Sequence, residues 1–433
     1  MKRNYIFLLI VFIFIASCGN KITSPSENIN GIVYYDSETA ETKYFSFYKI
    51  DGTTGEDFEA KSKFKKLAES QNAIIYFEDG YSFTRDQLRS FTTQFEESYK
   101  KEISIYGEPS DLDRNGKIIF LMADINTNGN SIGGYFDPND LIYGKDGIRG
   151  EYLHVNFKWE FELIFAVMMH ELQHLINYNV NVFGHNKDMD IWLNEALSES
   201  TSHTFNNIFV QDRVQSFNEI PYYSFYSWYL KYEDETDIFG QYLDALSYSP
   251  ASMFMKWIDT KTGGNQEVYR KIASSTIADS EQRLVNSVNE LAPSLGSDMN
   301  TLLINYISDI YNGNNLGLNV SPIPLSDSGL TEYLTVNGQL PLVPKALVVC
   351  SAEDANKITD SKITKTALKD GNYLLLNTSK NATPGFVAAN NVVGVSITLP
   401  QSSKSLSVKY SDFKDLTIFK DNYFKDVIIK ERD

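Results

Sequence analysis

The chain has 433 residues, 42% of them hydrophobic and 22% charged, which is enough apolar material for a large core and for two or three domains. A formal charge of −17 speaks against nucleic acid as a partner, because phosphate binding draws on clustered Lys and Arg. The nearest approach to such a cluster, Lys63, Lys65 and Lys66, reads as the solvated face of a short helix.

Lys2 and Arg3 precede an apolar run from Ile6 to Ala16, and Ser17-Cys18-Gly19 follows. The run is shorter than the ~20 residues a membrane-spanning helix needs, so residues 1–17 read as a secretory signal peptide. Ile15-Ala16-Ser17-Cys18 resembles a bacterial lipobox, in which the Cys is acylated and becomes the first mature residue. On that reading Cys18 ties the protein to a membrane, residues 18–30 are a flexible tether, and Gly19 permits sorting to an outer membrane or cell surface. Cys350 is the only other cysteine, so no intramolecular disulfide is expected in the mature chain. Following Ala346-Leu347-Val348-Val349, it reads as a buried strand residue.

Farther along, Ala73 to Phe77 and Lys117 to Met122 are short apolar runs bounded by turn residues, hence strands. Between them Leu88, Phe91, Phe95, Tyr99 and Ile103 recur at helical spacing, with Thr84 as N-cap. Ile132 to Phe136 and Tyr152 to Asn156 are read as further strands. From Lys158 to about Tyr311 the pattern turns helical, clearest over Asp190–Phe209, Pro250–Thr260, Asn265–Ala273 and Asp298–Tyr311. Ser216 to Tyr232 is crowded with aromatics. Beyond Pro324 the chain becomes rich in Val, Ile, Thr and Lys, which suggests a β-rich module over 331–433 after a main domain over 31–330. That main domain divides into a sheet lobe to about 157 and a helical lobe from 158.

The chemistry centres on His170-Glu171-Leu172-Gln173-His174. Residues four apart share a helix face, so His170 and His174 can offer two imidazoles to one ion, and Glu171 is placed to handle a water without ligating. Phe161, Ile164, Phe165, Met168, Leu172, Leu175 and Ile176 recur around the motif, with apolar residues between, as in a buried central helix. A third ligand is required. The position where a metzincin would carry its third His is Val180, which excludes that class. Trp192 to Glu199 opens a helix that Asp188 or Asp190 could cap. There Glu195 can complete a two-His, one-Glu set, with Glu199 one turn on to accept the second ring N–H of a ligating His. His185 is the rival ligand, but it stands in a loop. His154 reads as a strand residue, and His203 as an exposed or capping one on the Glu195 face, where it could meet substrate.

Asp111, Asp113 and Asn115, followed by Gly116, match the start of a calcium loop. The twelfth position is Met122 where a bidentate Glu is expected, so a tight turn is the favoured reading and Ca2+ the minor one.

Asp111 to Ile118, Gly133 to Asp140, the H-E-x-x-H helix and Trp192 to Glu199, taken in order, resemble the hyicolysin-type bacterial neutral metallopeptidases, within the thermolysin-like gluzincin group. The similarity covers roughly residues 70 to 310. It implies an α+β, zincin-like domain, with an N-terminal mixed sheet plus helices and a mainly helical second lobe, here followed by the small all-β module. It also implies zinc on His170, His174 and Glu195, Glu171 as the catalytic base and acid, and a peptide or protein substrate. Tyr248, just before the Pro250 helix, is the residue proposed to stabilise the oxyanion, and Gly133 to Tyr135 could form an edge strand that pairs with an extended substrate. The competing readings are a catalytically inert surface lipoprotein acting as adhesin or scaffold, and an aminopeptidase. The second lacks a G-x-M-E-N-type motif to hold a substrate's amino terminus.

Overall fold

The computed structural model describes residues 26–51, 57–127, 132–145, 147–205, 208–219, 223–225, 238–313, 316–323, 339–380 and 393–396. Cys18 and most of the aromatic stretch between 220 and 237 lie outside them.

An eight-stranded mixed sheet is built first. Its strands are β1 (Glu27–Ile29), β2 (Ile32–Tyr34), β3 (Thr42–Ile50), β4 (Asp57–Glu69), β5 (Ala73–Glu78), β6 (Ile118–Ala123), β7 (Gly134–Phe136) and β8 (Tyr152–Asn156). They run β1-β2-β4-β5-β6-β8-β7, with β3 paired to β4. β5, β6 and β8 are parallel and the other pairings antiparallel. In β6 every residue is apolar because both faces are covered. Ile118, Phe120 and Met122 point into the core shared with the helices. Ile119, Leu121 and Ala123 point into a second cluster with Phe45, Phe47, Phe64 and Tyr76. Lys63 and Lys65 therefore sit on a strand, not on a helix: two apart on β4 they share a face, and both pair with Asp79, at 3.4 and 2.7 Å.

The crossover from β5 to β6 is α1 (Arg85–Tyr106), which starts as its sequence predicts. Thr84 and Gln87 form a capping box, and Phe91 and Phe95 pack edge-on against Phe120, with centroids 5.4 and 5.1 Å away. After the short α2 (Pro138–Ile142), the chain passes through β8 into α3 (Phe161–Asn177), where every residue from Ile164 to Asn177 is buried. The helix runs on into a π-helical turn over Tyr178–Phe183.

The remaining helices are α4 (Ile191–Phe205), α5 (Ile208–Glu219), α6 (Ile238–Lys261), α7 (Glu267–Ser274), α8 (Ser280–Leu291) and α9 (Met299–Tyr311). Pro250 does not open a helix; it lies inside α6. The described C-terminal part has β9 (Gln339–Leu342), β10 (Leu347–Cys350), α10 (Ala352–Lys357), β11 (Ile363–Ala367), β12 (Tyr373–Asn377) and β13 (Val393–Ser396). These form a three-stranded antiparallel sheet, β10-β12-β11, and a β9–β13 pair. Leu347 to Cys350 and Leu374 to Leu376 join the same core as the helices. The buried Cys350 thiol is pushed up to about 12, so it stays protonated. Among the described residues no helix is long and apolar enough to cross a membrane.

Glu102 on α1 is fully buried, and neither carboxyl oxygen has a hydrogen-bond partner. Burial pushes its pKa well above the usual carboxylate value, with Lys101 opposing only in part. A raised folded-state pKa means that stability is full below about 4.5, the unfolded value, and is lost as pH rises toward the folded one. Glu102→Met, which removes the buried acid, is therefore expected to gain on the parent chain by up to ~1.4 kcal/mol per pH unit across this window. Urea unfolding at pH 5 and pH 8 measures the margin; a margin that does not change with pH contradicts it.

Candidate metal centre

α3 and α4 pack against each other, and their facing sides carry the site. His170 and His174 stand one turn apart on α3, and Glu195 lies on the second turn of α4. The two Nε2 atoms are 3.1 Å apart, and each is 3.4 Å from an oxygen of Glu195. A tetrahedral zinc with bonds of about 2.0–2.1 Å sets its ligand atoms roughly 3.3–3.4 Å from one another. The triangle fits.

The His174 ring nitrogen facing away from it is held from behind. His174 Nδ1 donates toward Asn194 Oδ1 at 3.2 Å and Ser198 Oγ at 3.1 Å, and Asn177 Nδ2 donates to the same Asn194 oxygen at 2.8 Å. This fixes the tautomer with a lone pair on Nε2, the form a metal requires. Burial, and then the neighbouring His170, push the His174 pKa well below its usual value, so the ring is neutral at pH 7. His170 Nδ1 faces Glu199 Oε1 at 3.7 Å, a charge contact longer than a hydrogen bond.

Glu199 is clamped by Arg213 of α5 through two parallel bonds, Nε to Oε2 at 2.7 Å and Nη2 to Oε1 at 2.8 Å. Burial works to raise the Glu199 pKa, but the guanidinium outweighs it and holds the carboxyl below its ordinary range. Reading the sequence missed Arg213. The signal was there: it interrupts the apolar stripe of Phe209 and Phe217 at four-residue spacing, where a charge needs a buried partner.

Glu171 is 1% exposed and faces the sheet. A Cβ built on Gly134 of β7 would come 3.6 Å from Glu171 Cγ and 2.7 Å from Val167 Cγ1; one on Gly133 would meet Val167 Cγ2 at 2.7 Å. The glycine pair thus lets β7, the last strand of the sheet among the described residues, lie flat on α3 beside Glu171.

The other candidates fall elsewhere. The metal-capable cluster holds His170, His174 and Glu195 without His185, which is half-buried beyond the π-helical turn. His154 lies in the middle of β8, fully buried, with Nε2 2.9 Å from Asp140 and its ring stacked on Tyr135. His203 is not exposed: Nε2 lies 3.0 Å from the Ser252 carbonyl and 3.1 Å from its hydroxyl, and burial lowers its pKa to about 4. Tyr248 belongs to the interior of α6, 2% exposed, with the Arg213 guanidinium 5.3 Å from its ring, a placement that favours packing behind the Glu199–Arg213 pair.

Over 261 residues the chain is 23% identical to the neutral metalloprotease ShpI of Staphylococcus hyicus, an alignment covering 57% of this chain and 57% of that protein. The similarity supports a metallopeptidase. The chain thus spans a little over half the length of that relative. No protein-family model matches the sequence. Among solved structures, an aminopeptidase N family protein from Idiomarina loihiensis overlays 85% of this chain and 79% of its own. The overlay has 10% identity and a TM-score of 0.28, too loose to bear on fold or activity.

The Glu199–Arg213 pair compensates charge, and its Glu199 side faces His170 Nδ1 at 3.7 Å. Arg213→Met, which leaves Glu199 charged and alone, is expected to cost about 3–5 kcal/mol in urea unfolding. The double variant Arg213→Met/Glu199→Leu should recover most of that loss, yet bind zinc about 10–100-fold more weakly in a chelator competition. Parent-like zinc affinity in the double variant would rule out an orienting role.

Proposed function

We propose that the chain is a zinc-dependent endopeptidase of the hyicolysin type, exported and held to a membrane by a lipid on Cys18. The observation that carries the enzymatic part is the 3.1–3.4 Å triangle of two imidazole nitrogens and one carboxylate, with the His174 ring oriented from behind and a buried glutamate alongside. Its two-nitrogen, one-oxygen donor set suits zinc and leaves a fourth position open to solvent or substrate.

Zinc in such a site supplies a Lewis acid that polarises a carbonyl and brings the pKa of water down toward about 7. The chain's own residues do the rest. Glu171 takes the proton of the attacking water and delivers it to the departing amine, so one carboxylate serves as base and then as acid. β7, at the end of the sheet, offers backbone groups to an extended peptide, and Gly133 and Gly134 keep the strand close enough to Glu171 for the scissile bond to lie between them. Substrate is then any peptide that can add itself as a strand, blocked or free at its amino terminus. The export reading rests on the charged start, short apolar run and Ser17-Cys18-Gly19 of the first residues.

Glu171→Gln is expected to keep its zinc while hydrolysis of an amino-terminally acetylated, quenched peptide falls by roughly 10²–10⁴-fold. Undiminished turnover in that variant would overturn the role of Glu171. Cleavage confined to peptides with a free amino terminus would replace this reading with an aminopeptidase, and zinc-loaded protein inert toward both would leave a scaffold. For the anchor, Cys18→Ser should abolish incorporation of labelled fatty acid in the producing cell; label retained in that variant would place the lipid elsewhere.

A further inference from the structure

The loop between α1 and β6 lies beside a buried acid that is remote in sequence. β6 and β8 are parallel neighbours, and Ile119 N–H donates to the Glu151 carbonyl at 2.7 Å. The residues entering the two strands, 111–117 and Glu151, consequently meet at one end of the sheet. One carboxylate oxygen from each of Asp111, Asp113 and Glu151 falls within 4.8 Å of the others.

The loop is already shaped as a cation loop. Asp111 Oδ1 accepts the Gly116 N–H at 2.9 Å, Asp113 Oδ1 accepts the Asn115 N–H at 3.0 Å, and Gly116 takes the positive φ of 68° expected at the sixth position. A second observation is independent of the loop. Glu151 is 1% exposed, its Oε1 accepts from Ser110 Oγ at 2.7 Å and Leu112 N at 3.0 Å, and its Oε2 is buried with no hydrogen-bond donor. A buried carboxylate oxygen without a donor is costly unless a cation answers it, and among the described residues no Lys or Arg forms a salt bridge with any of the three acids. Residue 150 is a glycine whose added Cβ would stand 3.2 Å from Asp113 Oδ2, so the loop lies close against the entry to β8.

We propose that Asp111, Asp113 and Glu151 bind one calcium ion, with Glu151 supplying from the neighbouring strand the acid that the twelfth loop position, Met122, lacks. Hard oxygen donors from two carboxylates of a loop and a third from the entry to β8 suit Ca2+ better than Mg2+, which demands a tight octahedron and keeps its waters. The ion lies at the entry to β6 and β8, whereas α3 and the zinc ligands follow the exit of β8, so its role is to pin the α1–β6 loop to the sheet. The proposal is independent of the peptidase reading, because its readouts are binding and melting temperature.

The experiment is calorimetric titration of CaCl2, and separately MgCl2, into the full chain loaded with zinc, paired with thermal melts. Calcium is expected to bind at one site and to raise the melting temperature by roughly 2–6 °C at saturating concentration. Asp111→Asn, an exposed and conservative change, and Glu151→Gln should each weaken calcium binding at least tenfold while zinc content stays at one per chain. No calcium uptake at millimolar concentration, parent-like binding in both variants, or an equal response to magnesium would each overturn the assignment.

Discussion

Two glutamates one turn apart on α4, Glu195 and Glu199, are both buried to about 99%, and an apolar interior does not hold two uncompensated carboxylates. Each needs a cation, and the packing of α4 depends on how that need is met. Arg213 answers Glu199 with a bidentate clamp. Glu195 is turned to the two imidazoles, 3.4 Å from each Nε2. A divalent ion held by these three residues would supply compensating charge. Metal binding there would couple to folding of the helical lobe, because Glu195 shares its helix with the buried Trp192, Leu193, Ala196 and Leu197.

The sheet serves that centre by position. Covering both faces of β6 makes its frame rigid, and β8 leads into α3 within a few residues, so the motif helix starts from a fixed point. Gly133 and Gly134 then decide how near the sheet's last strand comes. Any side chain at Gly134 would collide with Val167 and with the His154 carbonyl, both at 2.7 Å, and lift β7 from the helix that carries Glu171. A backbone that lies this close to α3 beside Glu171 has no room for a Cβ on that side. Beneath, His154 is consumed by Asp140 and Tyr135, which ties β8, α2 and β7 together and removes it from metal chemistry.

What could be read in the sequence was what is periodic or local. Thr84 with Gln87, the apolar six residues of β6 and the enclosed motif helix are determined by neighbours within a turn or two, and they appear where the pattern puts them. Lys63 to Lys66 misled because three cations in four residues look like a solvated helix face, whereas β4 alternates and the end of its antiparallel partner β5 offers Asp79 to two of them. Pro250 misled for a similar reason: a proline usually marks a helix start, yet α6 carries it in its interior. His203 looked surface-bound because nothing nearby announces Ser252, which lies 49 residues away on another helix. Arg213 and Glu151 were out of reach for the same cause. Their partners are brought by tertiary packing, and only the oddness of a charge in an apolar stripe hinted at the first.

If two ions with different tasks lie at opposite ends of the same parallel strands, removing metal is a blunt instrument. A strong chelator that takes calcium from the entry of β6 and β8 loosens the loop that holds α1, and loss of activity then follows from a disturbed frame as readily as from an empty catalytic centre. The two causes differ in reach. A frame effect changes the melting temperature and is repaired by calcium alone, whereas a vacancy at His170, His174 and Glu195 is repaired only by an ion that accepts nitrogen donors. Glu171 belongs to neither ligand set, so a substitution there would separate chemistry from architecture where chelation cannot.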